Sequence, residues 1–178
     1  MELLALQVLL RRTPIFQSFK EPDFAALSPV IKRHVLGPGE VLFAEGDVGA
    51  SMFIVGQGTL EVVVGQEVVG KLEAGAVTGE AACIDPAPRS AMVRTTARAT
   101  VFELTQGDLR ALRELSPGVA TILVGGIIAQ ISARLRDTQR RIDVALGGPT
   151  VVTISGVMPR AVLTGSQPGK EPLRPAPY

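Results

Sequence analysis

The residues with chemistry to offer are concentrated between positions 75 and 93, in the run GAVTGEAACIDPAPRSAMV. Gly79 and Glu80 are followed by an apolar turn, Ala81-Ala82-Cys83, and after a short Pro-rich excursion by Pro88, Arg89, Ser90 and Ala91. That order suits an anion pocket. Gly79 lets backbone come close to a ligand, and the amides of Ala81, Ala82 and Cys83, if they open a short helix, point at a phosphate. Arg89 then supplies the charge, because a guanidinium is permanently cationic and its planar fork of donors holds two phosphate oxygens at once. Glu80, an acceptor only when ionised, suits a sugar hydroxyl. Each residue also has an ordinary reading: Glu80 as a first-turn carboxylate favoured by the helix dipole, Arg89 as a surface arginine after a turn proline, Cys83 as a small apolar residue.

The elements that must position these residues can be read from pattern. From 35 to 104 the chain runs in short segments rich in Val, Ile, Phe and Thr, punctuated by glycines. Such evenly spaced strands predict a small antiparallel barrel or jelly roll. Residues 60–64 and 67–69 flank a Gly65-Gln66 turn and predict one hairpin; 92–97 with 100–103 predict another. Before the strands, helical spacing predicts a helix over 2–10. Phe16, Phe19, Phe24, Leu27 and Ile31 mark a second apolar face, with Pro22-Asp23 starting a helix that reaches about Arg33. His34 reads as a strand or junction residue.

After the strands, Thr105 and Asp108 make a capping box, and Ser116-Pro117 opens a long helix. That helix carries Val124, Ile128, Ile131, Leu135, Thr138, Ile142 and Ala145 at alternating steps of four and three, a heptad stripe that predicts a homodimer. Gly125-Gly126 predicts a bend or a close approach. From Gly147 the chain is broken by Gly and Pro and reads as a disordered tail, so the expected division is one domain over 1–146 and a tail over 147–178.

Bulk properties narrow the classes of function. A length of 178 residues with 46% apolar content predicts one globular domain with its own core. The net charge of +1 gives no field that argues for nucleic acid or a membrane surface. A single cysteine, Cys83, and a single histidine, His34, cannot form an intramolecular disulfide or a Cys/His metal site, and a cytoplasmic location is expected. The opening MELLALQVLLRR places its arginines after the apolar run, so a signal peptide is not expected. Residues 115–133 carry no charge and approach the length of a membrane span. They run on without a break into the charged stretch 134–143, which favours a helix buried at a protein interface.

The segment around Arg89 resembles the phosphate-binding cassette of the cyclic nucleotide-binding domain family, whose pattern is Phe-Gly-Glu, an apolar turn, then Pro-Arg and small residues. Thr78 stands where the family usually has an aromatic residue; Gly79, Glu80, Ala81, Pro88, Arg89, Ser90 and Ala91 agree. Upstream, GEVLFAEGDVGASMFIVGQGTLEVVV looks like the first half of the family's barrel, and 94–142 looks like its closing strands and long helix. The resemblance implies an α+β fold: an antiparallel β jelly-roll barrel with N-terminal helices and a long C-terminal dimerisation helix.

It also implies a ligand, cyclic AMP or cyclic GMP. The phosphate would sit on Arg89 and the cassette amides, with Ser90 adding its hydroxyl, and the ribose 2'-hydroxyl would sit on Glu80. Thr138 stands where the bacterial catabolite activators bond the adenine amino group, and Ser90 in place of a threonine points the same way, to cyclic AMP. No helix-turn-helix module can be made from the tail, so direct DNA binding is not expected, and a signal would pass through the dimer helix or tail to a partner protein. The other reading is a degenerate member that keeps the barrel as a ligand-free dimerising or docking module, which Thr78 favours. An enzyme is not expected, because no nucleophile, base and orienting group recur at a recognisable spacing.

Overall fold

In the computed structural model, which describes residues 2–148, the chain opens with α1 (Glu2–Arg12), a 3-10 turn (Pro14–Phe16), α2 (Glu21–Leu27) and a second 3-10 turn (Ser28–Val30). The second helix stops short of Arg33. Pro29 has no amide to donate one turn back, so the ladder tightens into the 3-10 turn. Then β1 (Lys32–Leu36) begins and takes His34 into a strand.

The strands follow in quick succession: β2 (Val41–Phe43), β3 (Val48–Gly49), β4 (Ser51–Gln57), β5 (Leu60–Val64), β6 (Glu67–Leu72) and β7 (Val77–Thr78). A short helix, α3 (Glu80–Ile84), separates β7 from β8 (Ala87–Pro88), and β9 (Met92–Thr95) and β10 (Ala99–Thr105) complete the set. They form two four-stranded antiparallel sheets, ordered β1-β10-β4-β7 and β2-β9-β5-β6, with β3 and β8 as a separate pair. This is the expected antiparallel barrel with helices at both ends of the chain. The β5–β6 hairpin turns at Gly65-Gln66 as the sequence predicts.

The second predicted hairpin does not form. β9 pairs with β2 and β5, while β10 pairs with β1 and β4, so residues 96–98 carry the chain from one sheet to the other. Both strands have an apolar face, which pattern alone reads as one hairpin. The crossing is held instead by a distant loop: the Thr96 amide and hydroxyl both donate to the Thr59 carbonyl, at 3.2 and 3.0 Å.

Two apolar cores result. Leu36, Phe53, Val55, Leu60, Val93, Ala99 and Val101 fill the space between the two sheets. The second core joins the helices to the outer face of β4 and β10, where Met52, Ile54 and Leu104 meet Phe16, Phe24, Leu112, Leu123 and Ile127. Because side chains alternate across a strand, Met52 and Ile54 serve one core and Phe53 and Val55 the other. All of Ser51 to Val55 is buried.

α4 (Gln106–Leu115) starts at the predicted capping box: the Asp108 amide donates to the Thr105 hydroxyl and the Thr105 amide to the Asp108 carboxylate, both at 3.0 Å. Burial works against that carboxylate, but the bonds from Thr105 and the Lys32 ammonium outweigh it and hold its pKa below the ordinary value. α5 (Pro117–Leu146) follows directly, long and apolar enough to cross a membrane by length and composition. Ala120, Leu123 and Ile127 are buried along one side of it against the helical core. Of the heptad stripe, Val124 and Ile131 also pack on that core, while Ile128 and Leu135 are exposed. By its contacts the chain divides into two units, Met1–Thr138 and Gln139–Tyr178. Apart from Gly147 and Gly148, the predicted tail lies outside the described residues.

The two adjacent glycines of α5 have different roles. A Cβ on Gly126 would lie 2.0 Å from the Ile15 carbonyl oxygen, whereas a Cβ on Gly125 meets nothing within 4 Å. Gly126 is the close approach that seats α5 on the N-terminal helices. Urea unfolding should therefore separate them: Gly125→Ala should stabilise the fold by about 0.5–1 kcal/mol through helix propensity. Gly126→Ala should destabilise it by about 1–3 kcal/mol, because the obstacle is backbone. Equal effects of the two substitutions would refute this packing.

Candidate functional site

The β3–β8 pair sets Val48 against Pro88 and Gly49 against Ala87, and this pairing delivers Arg89 into the barrel. Its backbone is fixed on both sides: the Arg89 amide donates to the Asp47 carbonyl at 2.8 Å and its own carbonyl accepts from the Gly46 amide at 2.9 Å. The side chain then lies over two glycines. A Cβ at Gly49 would sit 2.3 Å from Nε, and one at Gly79 would sit 2.2 Å from Nη1. Gly79 also has a φ of 73°, a left-handed conformation that side chains rarely adopt.

Arg89 is only 7% exposed. Its Nη1 donates to the Gly79 carbonyl at 3.4 Å and its Nη2 to the Ser51 hydroxyl at 3.2 Å. The guanidinium also lies 4.3 Å from the ring centre of Phe43 and 5.8 Å from that of Phe53, contacts worth about 0.5–2 kcal/mol each when desolvated. Burial pulls its pKa below the usual arginine value, while Cys83, Glu103, Asp47 and Glu80 act the other way. No carboxylate is salt-bridged to it among the described residues, so it is a desolvated cation held by neutral groups.

Glu80, the first residue of α3, is 2% exposed. Its Oε1 is 2.8 Å from Nη1 of Arg134, which reaches in from α5 and also donates Nη2 to the Val77 carbonyl at 3.4 Å. The other carboxylate oxygen, Oε2, is buried with no hydrogen-bond partner among the described residues. A buried acceptor in that state costs about 1–3 kcal/mol unless a donor reaches it.

The remaining residues are distributed as follows. Ala81 is exposed at the start of α3, and Ala82 and Cys83 are buried. The amides of Glu80, Ala81 and Ala82 are those the first turn leaves unpaired, and that of Cys83 falls one step inside the ladder. The Cys83 thiol bonds the Leu104 carbonyl at 3.6 Å, and burial pushes its pKa up to about 11, so it is a packed, protonated thiol. Ser90 is exposed beside Arg89. Thr138 is exposed on α5, one turn beyond Arg134 and on the same face.

Sequence reasoning missed Arg134, Ser51, Gly49, Phe43 and Phe53. The first left a trace, since it stands four residues before Thr138. The others come from strands far from the cassette in sequence. Phe43 supplies an aromatic surface under Arg89 from β2, in a cassette where Thr78 replaces the expected aromatic residue. Among the described residues no three His, Cys, Asp or Glu side chains gather into a metal site.

Comparison with known proteins agrees with this geometry. Residues 33–116 match the family model described as the cyclic nucleotide-binding domain. A cyclic nucleotide-gated channel of Caenorhabditis elegans is 33% identical over 126 residues, covering 66% of this chain and 17% of the channel. The crystal structure of a cyclic nucleotide-binding domain from Methylobacillus flagellatus has the same fold, with a TM-score of 0.71 at 21% identity over 79% of this chain and 82% of that one. The regulatory domain of Toxoplasma gondii PKA, crystallised with cAMP, is 27% identical with a TM-score of 0.56, covering 62% of this chain and 44% of that one. The first curated relatives are much longer proteins: the chain covers 34%, 17% and 14% of three of them.

The ion pair between Glu80 and Arg134 joins the cassette to α5, and its energy can be measured. Arg134→Ala leaves a buried carboxylate without its cation and should lower stability in urea by about 1–3 kcal/mol. Adding Glu80→Gln, which removes the charge, should restore most of that loss. Equal stability of Arg134→Ala and the parent would show that the pair contributes nothing.

Proposed function

We propose that the protein is a sensor of a cyclic nucleotide, with cyclic AMP preferred to cyclic GMP, and that it acts as a regulatory binding module. The observation that carries the reading is the buried, carboxylate-free guanidinium of Arg89, two of whose five donors are engaged, beside the buried Glu80 with an unpartnered oxygen. A cyclic phosphate monoanion matches the first and a ribose 2'-hydroxyl the second. The match of residues 33–116 to the family model and the cAMP-bound relative support the same ligand class. In this reading the phosphate contacts Arg89, Ser90 and the unpaired first-turn amides that follow Gly79, those of Ala81 and Ala82, with Cys83 packed behind them, and Thr138 meets the adenine amino group.

A second reading has one observation in its favour. Glu80 is already paired with Arg134, and Thr78 replaces an aromatic residue. A ligand-free docking module would keep that pair closed. Calorimetric titration with cyclic AMP and cyclic GMP distinguishes the two, since a module without ligand binds neither.

For the sensor, cyclic AMP should bind more tightly than cyclic GMP, and Arg89→Ala should lower affinity by about thirty-fold to several thousand-fold, the usual effect of truncating one partner of a desolvated charge pair. Arg89→Lys should recover only part of it, because an ammonium keeps the charge without the bidentate fork. Glu80→Ala should weaken binding less, and that loss should shrink with the 2'-deoxy ligand. Parent-like binding by Arg89→Ala would overturn the assignment.

The signal leaves through α5 in this proposal, as a cytoplasmic homodimer acting on a partner protein, with the domain over 1–146, the tail over 147–178 and no DNA contact of its own. The exposure of Ile128 (54%) and Leu135 (63%) on an otherwise apolar stripe supports the dimer. Sedimentation should find a dimer for the parent and a monomer for Leu135→Glu. An unchanged dimer in that variant would place the interface elsewhere.

A further inference from the structure

We propose that the open pocket between α3, α4 and α5 is a second ligand site, selective for a small monocarboxylate with an apolar body. Its volume is about 430 Å³, and neither Arg89 nor Glu80 lines it. That volume lies within the roughly 300–1,000 Å³ of small-molecule pockets. The floor is apolar and built from Cys83, Leu109 and Ala120, all buried, with Ile84 and Val124 as walls.

The rim has the opposite character. Arg110 and Arg113, one turn apart on α4, both line the cavity, and among the described residues no carboxylate does. Arg110 is oriented: its Nη2 donates to the Gln106 Oε1 at 2.9 Å, and Gln106 in turn donates to the Ile84 carbonyl at 3.0 Å. Among the described residues Arg113 makes no hydrogen bond or ion pair. Its fork is open to a group of matching shape, and a carboxylate takes such a fork through two parallel bonds. The apolar floor gives a bare inorganic anion little to bury. Among the described residues the lining has no aromatic ring on which a nucleobase could stack. An anionic head at the rim with an apolar body beneath it satisfies both parts of the cavity.

The inference does not depend on the nucleotide reading, and cyclic nucleotide titration of the same sample keeps the two separate. Octanoate is the probe, followed by amide spectra of the full chain, with octanol and acetate as controls. Saturable shifts are expected at Ile84, Leu109 and Val124. Acetate, octanol and the Arg113→Ala variant should each weaken binding by roughly ten-fold or more. Val124→Trp, which fills the cavity, should abolish the shifts while the spectrum of the barrel stays unchanged. Octanol binding as well as octanoate, shifts centred on Arg89, non-saturable shifts along Ile128 and Leu135, or shifts that persist in Val124→Trp would each overturn the proposal.

Discussion

A guanidinium removed from water and left without a carboxylate is the constraint that organises this barrel. Arg89 cannot lose its charge at any ordinary pH, so its surroundings have to make its burial tolerable by other means. They do so with a backbone carbonyl, a hydroxyl and two ring faces, while two glycines keep the space for its stem open. Those groups come from β2, β3, β4 and the residue between β7 and α3, and the two-residue pair β3–β8 has as its consequence the placement of this one side chain. A partly satisfied cation is poised for an anion, since the unsatisfied part of its hydration is what a ligand would replace.

Glu80 presents the complementary problem and solves it through the long helix. Its partner comes from α5, so cassette and helix are joined by a charge-assisted bond as well as by apolar packing. Arg134 also holds the Val77 carbonyl, which lies on the strand just before Gly79. A group that hydrogen-bonds Glu80 from within the barrel therefore acts on the same carboxylate that anchors α5. In the proposed reading, the position of the helix and the occupancy of the site are linked through one residue.

Local pattern carried much of this in the sequence. The capping box at Thr105, the β5–β6 turn and the start of α5 at Pro117 are all short-range signals, and each is found in the structure. What pattern could not supply is pairing between distant segments. Residues 92–97 and 100–103 read as a hairpin, yet the strands they fall on belong to different sheets. Phe43 and Phe53, which no local pattern singles out, are packed against a cation. Arg134 begins the charged stretch 134–143, and helix periodicity shows which residues share a face and not what that face meets.

The double-faced burial of β4 has a consequence for how the protein reaches its native state. A strand with one polar face declares its alignment, because sliding by one residue drives charge into the interior. Met52, Phe53, Ile54 and Val55 carry no such penalty: a slipped β4 would still be greasy on both sides. Correct alignment rests instead on shape and on Ser51, whose hydroxyl must arrive beside Arg89. A misaligned molecule would thus be hard to distinguish from the native one by its hydrophobic content, and its defect would be an arginine with nowhere to sit.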